Sequence, residues 1–192
     1  QLWYAKQELA GTPEANLPIL SAAAPFKAGT RGDATAYTDI PAGPIAIKNV
    51  ADLYLYDNVT AILKVNGAQL KEWLEMSAGQ FNTIDPNNSQ PQNLINTNYR
   101  TYNFDIIDGI TYEFDITQPN KYDREGKLAN PNASRVRNLK YQGKEIDPKQ
   151  EFIVVTNNYR ANGKFPGVRE ASLNRLLNLE NRQAIINYIL AV

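Results

Sequence analysis

Two tyrosines stand where a sheet would present a ligand. Tyr56 lies in Leu53-Tyr54-Leu55-Tyr56-Asp57-Asn58, just before an alternating apolar run, and Tyr159 lies in Thr156-Asn157-Asn158-Tyr159-Arg160-Ala161-Asn162-Gly163, just after another. Each is a ring at an expected strand end, flanked by asparagines and loop residues, a place where binding sites commonly form. One flat ring on each side would make a slot for a planar ligand such as a nucleobase, with stacking worth about 1–3 kcal/mol per base. Asn58 suits the edge of such a slot because its amide both donates and accepts. Phe26-Lys27-Ala28-Gly29-Thr30-Arg31-Gly32 sets Lys27 and Arg31 among glycines. An arginine there can hold a phosphate with two parallel hydrogen bonds while loop amides add donors. The plainer reading is an ordinary basic loop, and for Tyr4, Tyr112, Tyr141 and Tyr188 it is strand rings with wet hydroxyls.

Other chemistry is poorly supplied. The 192 residues contain no histidine and no cysteine, which removes the commonest general base, the usual zinc ligand, thiolate chemistry and any Ser-His relay. Asp85-Pro86-Asn87-Asn88-Ser89 begins like an EF-hand loop, but Gln90 and Asn96 replace its glycine and its bidentate glutamate. Asp105, Asp108, Asp115 and Asp123 form no metal spacing and read as solvated acids on strands and turns. We therefore expect no catalytic residue, metal ligand or cofactor in this chain. Twenty basic and twenty acidic residues cancel, so no global field would draw in a nucleic acid polymer or an anionic membrane, and an anion must be gripped locally. No apolar run approaches the roughly 20 residues that span a bilayer. The chain opens on Gln1-Leu2-Trp3, ends on Leu190-Ala191-Val192 and has Met76 as its one methionine, so we expect a segment of a longer protein.

Elements must position these residues. Leu2–Leu9 reads as a short helix, and Ile19 begins a strand that runs into the glycine-bearing loop. Val59–Val65 alternates as a strand, and Asn66-Gly67 then turns into an amphipathic helix marked by Leu70, Trp73, Leu74, Met76, Ala78 and Phe81. Asp85 to Asn98 reads as an exposed loop. Strands are expected over 110–116, 135–141 and 151–156, and helical spacing from Leu173 to Val192. Paired strands with helices before, between and after them predict one mixed α/β (α+β) domain over residues 1–192, not a doubly wound parallel sheet.

Lys27-Ala28-Gly29, Asn49 to Asn58, Glu72-Trp73-Leu74-Glu75-Met76-Ser77-Ala78-Gly79-Gln80-Phe81-Asn82, Tyr102-Asn103-Phe104-Asp105-Ile106-Ile107-Asp108-Gly109 and Thr156 to Arg160 occur in this order. Together they resemble the C-terminal domain of the 5'-nucleotidase family, and within it the bacterial 2',3'-cyclic-nucleotide 2'-phosphodiesterase/3'-nucleotidase branch. The resemblance implies a substrate-binding domain that partners a separate N-terminal metallophosphoesterase domain carrying two divalent metals, in a secreted protein that is periplasmic or attached to the cell wall. It implies that Tyr56 and Tyr159 clamp the base, that Asn58 contacts it, and that Arg31, with Lys27 nearby, lies on the phosphate or ribose side. Two departures, the absence of arginines near Gln1 and of an acidic ribose contact in residues 161–165, suit the cyclic/3' branch. Two other readings remain open. One is a non-catalytic surface module binding sugars or host proteins, since rings also stack on sugars. The other is a self-sufficient metal-free hydrolase.

Overall fold

A computed structural model describes residues 1–29 and 33–192. Helix α1 (Leu2–Leu9) leads through a 3-10 turn into strand β1 (Ile19–Ala23), and a loop then reaches α2 (Ile47–Leu53). Strand β2 (Val59–Asn66) passes directly into α3 (Gly67–Ser77). The Asn66 side chain accepts from the Gln69 amide while the Gln69 side chain accepts from that of Asn66, a reciprocal cap that fixes where the helix begins. A long exposed segment leads to β3 (Ile106–Asp108), β4 (Thr111–Phe114), β5 (Val136–Tyr141) and the short β6 (Lys144–Glu145). Strand β7 (Glu151–Asn157) turns at once into α4 (Asn158–Asn162), and β8 (Leu173–Glu180) turns into α5 (Asn181–Ala191).

The main sheet has the order β3-β1-β7-β2-β8, and β4-β5-β6 form a second, smaller one. Strands β1 and β7 are parallel, while β3 against β1, β2 against β7 and β8 against β2 are antiparallel. The mixed α/β expectation therefore holds. Along β2 and β7 successive side chains point to opposite faces. Ala61, Leu63, Val65, Phe152 and Val154 pack with Leu70, Trp73 and Leu74 of α3, whereas Ile62, Ile153 and Val155 pack with Ala5 and Leu9 of α1. A strand covered on both faces needs apolar residues at consecutive positions, which is why 152–155 is an unbroken Phe-Ile-Val-Val run.

Two sequence expectations change. Residues 173–180 form β8 and not a helix. The three- and four-residue leucine spacings also contain a period-two set, Leu173, Leu177 and Leu179, and antiparallel pairing with β2 selects it. Tyr4 and Tyr188 sit on helices α1 and α5, not on strands. Of the two rings that do lie on strands, Tyr112 accepts the Ile107 amide and Tyr141 packs edge-to-face on Phe152.

One buried contact decides where α4 lies. Arg160 and Asp105, 5% and 4% exposed, pair through Nε and Oδ2 at 2.6 Å. The same carboxylate oxygen accepts from the Trp73 indole at 2.8 Å, and Arg160 Nη2 donates to Asn103 Oδ1 at 2.8 Å. The guanidinium also lies 3.9 Å from the Phe165 ring centroid. Asn157 caps this short helix by accepting from the Arg160 amide. A second buried network ties α3 to the smaller sheet. The Glu75 carboxylate accepts from the Arg135 and Val136 amides, and the Arg135 guanidinium donates to the carbonyls of Ala78, Phe81 and Gln118.

Asp105→Ala leaves the Arg160 guanidinium buried without its counter-charge and should cost about 3–5 kcal/mol. Urea unfolding followed by tryptophan fluorescence measures it, and a loss below about 1 kcal/mol would contradict the anchoring role. Gly167→Ala should also destabilise, by about 2 kcal/mol or more. Gly167 has φ +81°, and a Cβ there would meet the Gln69 carbonyl oxygen at 2.1 Å. Its thermal midpoint should fall clearly below wild type, whereas Gly11→Ala, with nothing within 4 Å, should bear only the smaller cost of its positive φ.

Candidate ligand-binding site

The strand directions bring four chain segments to one end of the main sheet. The C-terminal ends of the parallel strands β1 and β7 lie beside the N-terminal ends of β2 and β3, which run antiparallel to them. Ala23, Asn157, Asn58 and Asp105 are therefore neighbours although they are far apart in sequence. A cavity of about 230 Å³ opens here. That is below the roughly 300–1,000 Å³ of usual small-molecule pockets, so it has room for a flat ring system and not for a whole nucleotide.

Aromatic rings from separate chain segments border it. Tyr56, in the loop between α2 and β2, stands edge-to-face with Phe26 at 5.1 Å and 86°. Tyr159, in the first turn of α4, stands edge-to-face with Tyr102 at 6.1 Å and 79°. Each ring is thus held by a second ring, an arrangement worth about 0.5–1.5 kcal/mol beyond area burial. Tyr56 and Tyr159 nevertheless remain 48% and 57% exposed, so neither is a core residue and both offer surface to a ligand. Burial and the adjoining Tyr102 hydroxyl hold the Tyr159 phenol above its ordinary pKa, so it stays neutral at physiological pH.

Polar groups complete the cavity. Asn58 and Asn157 each donate through Nδ2 to the Tyr54 hydroxyl, at 3.2 and 2.9 Å. Burial raises the pKa of that phenol. The Asn157 Oδ1 is committed to the Arg160 amide, whereas Asn58 Oδ1 has no donor among the described residues and keeps its acceptor capacity. Asp105, Thr156 and Arg160 line the buried part.

Of the residues singled out from sequence, Tyr56, Asn58 and Tyr159 border this one cavity. Lys27 does not. Its ammonium is paired with Asp52 of α2, and it borders a neighbouring cavity beside Phe26 and Tyr54. Arg31 lies outside the described residues. Asp105 is a correction, because it is a buried ion-pair partner at the site and not a solvated acid. Phe26 and Tyr102 as supports for the rings and Arg160 as the anchor are not apparent from the sequence. The one signal for the last was a cation directly after Tyr159, in a segment due to be buried by the preceding strand. The EF-hand-like stretch forms a local turn in which Asp85 accepts the Asn87 amide. Among the described residues no three His, Cys, Asp or Glu side chains are placed to hold a metal.

Comparison with known proteins agrees with this architecture. The family model for the 5'-nucleotidase C-terminal domain matches residues 21–166. A trifunctional nucleotide phosphoesterase of Bacillus subtilis is 56% identical over 99% of this chain, which corresponds to 13% of that protein. A 2',3'-cyclic-nucleotide 2'-phosphodiesterase/3'-nucleotidase of Haemophilus influenzae is 54% identical over 92% of this chain and 27% of its own length. The crystal structure of a 5'-nucleotidase precursor from Thermus thermophilus superposes with a TM-score of 0.63 over 98% of this chain and 30% of that one, at 18% identity. The chain therefore spans less than a third of the length of these relatives. With a family match over most of its length and relatives above half identity, the chain belongs to the 5'-nucleotidase C-terminal domain family.

Proposed function

We propose that this chain is the nucleotide-binding domain of a secreted, metal-dependent 2',3'-cyclic-nucleotide 2'-phosphodiesterase/3'-nucleotidase, and that it holds the base between Tyr56 and Tyr159. One observation carries the reading: two half-exposed tyrosines from separate segments border a single cavity sized for a flat ring, with amide groups beside it. A planar base entering there would cover ring faces that otherwise meet water, and Asn58 would meet its polar edge. The names of relatives that share most of this chain support the substrate class.

Hydrolysis would belong to a preceding metallophosphoesterase domain with two divalent metals. This chain's residues do not fit such a centre, since it has no histidine and no converging set of acids among the described residues. Its part is to select and orient the nucleotide, and orientation of a reacting group is itself a large catalytic factor.

Isothermal titration of adenosine tests the slot. Tyr56→Ala and Tyr159→Ala should each weaken binding by about 1–3 kcal/mol with the fold intact by circular dichroism. Wild-type affinity in both variants would remove the clamp, and equal affinity for a simple monosaccharide would favour a sugar-binding module instead.

A further inference from the structure

A slot of about 230 Å³ has room for a base, and on the base-slot reading the rest of a nucleotide would lie outside it. Asn58, Tyr159 and Arg160 are shared between that slot and a second, wider groove of about 520 Å³. A ligand stacked on Tyr159 can therefore continue from one into the other without leaving the protein surface.

The groove is built for an anion. Arg100, Arg124 and Lys164 all border it, against the single carboxylate of Glu125. Arg160, the remaining cation in its wall, is neutralised by Asp105. Three cations less one carboxylate leave an excess of two positive charges. Glu125 also arranges the cations. It accepts from both terminal nitrogens of Arg100 at 3.1 Å each and pairs with Arg124 Nε at 3.3 Å. Lys164 has no carboxylate partner among the described residues. Asn158 commits its Oδ1 to the Val59 amide, so its side-chain NH₂ group remains as a neutral donor at the same groove.

We propose that this groove is a phosphate subsite, receiving a phosphate carried by the nucleotide whose base fills the slot. The inference rests on the base-slot reading and adds to it where the charged part of the ligand lies. A phosphate fits better than a neutral extension because guanidinium groups bind its oxygens in pairs, with an ammonium as a point charge beside them. The cations are largely solvated, so their pull is modest and weakens with salt. The phosphate could be a terminal one on a mononucleotide or the diester linking a second nucleoside, and the chemistry at the groove is the same.

The experiment titrates the chain with adenosine, 3'-AMP, a dinucleoside monophosphate and inorganic phosphate, at low salt and at about 0.15 M salt. At low salt a phosphate-bearing ligand should bind about three- to tenfold more tightly than adenosine. A double variant, Arg124→Ala with Lys164→Ala, should abolish that gain while leaving adenosine unchanged. Glu125→Gln, which removes the competing negative charge, should increase the gain, an effect that a purely structural role for Glu125 would not produce. A gain seen with 3'-AMP assigns the subsite to a terminal phosphate, and one confined to the dinucleoside monophosphate assigns it to a linking diester. The proposal is overturned if phosphate adds no affinity in wild type, or if the double variant keeps the full gain. If adenosine fails to bind but inorganic phosphate binds and is lost in the double variant, the base slot falls and the anion site stands.

Discussion

The ion pair between Arg160 and Asp105 is the contact on which the candidate site depends. Two charges taken out of water are tolerable only when they meet in good geometry and their remaining hydrogen-bonding capacity is met. Here Trp73, Asn103 and the face of Phe165 meet it. The consequence is positional. Arg160 follows Tyr159 in a five-residue helix, and a helix that short has little stability of its own. With Arg160 pinned to the residue before β3, and the helix start capped by Asn157, the neighbouring ring can point outward and still have a defined place.

The sheet explains why this pinning reaches a pocket at all. A wholly parallel sheet would bring only C-terminal strand ends to one side. In this mixed sheet the direction reverses at β2 and β3, so strand starts and strand ends share an edge. Loops of different origin, carrying Phe26, Tyr56, Tyr102 and Tyr159, then converge. The apolar layers on both faces of β2 and β7 keep that edge rigid, because a packed interior has few alternative arrangements. The rings are about half exposed while their supports, Phe26 and Tyr102, are partly buried, a division that suits recognition of a flat ligand by surfaces already in position.

Much of this was legible in the residue order, and the parts that were not share a physical cause. Strand β2, helix α3 and strand β7 could be read because their patterns reflect packing on known faces and sharp caps such as Asn66-Gly67. Tyr56, Asn58 and Tyr159 stood out because an aromatic residue beside asparagines at a strand end is ill suited to a core. Residues 173–180 misled because leucines spaced for a helix also fit an edge strand, and pairing with β2, a long-range contact, decided between them. Asp105 misled for the same reason. An acid in Asn-Phe-Asp-Ile looks solvated until its partner, distant in sequence, is brought beside it. Local pattern predicts elements well and long-range charge pairing poorly.

Charge distribution around the slot follows from the same pairing. The chain has no net charge, so its net charge supplies no attraction for an anionic ligand. Near the slot Lys27 faces Asp52, Arg160 faces Asp105 and Arg182 faces Asp57, each cation offset by a carboxylate. These pairs fasten the loop before α2, the helix α4 and the helix α5 to their neighbours, and each one-to-one pair leaves no net charge for an anion. The groove bordered by Arg100, Arg124 and Lys164 differs because its one carboxylate, Glu125, cannot offset all three. On the proposed reading, a base slot next to an uncompensated cationic groove would separate two tasks: stacking, which tolerates different bases, and charge, which would fix the direction in which the ligand lies. With both on one rigid sheet edge, a nucleotide would bind in a defined orientation even though neither contact is strong.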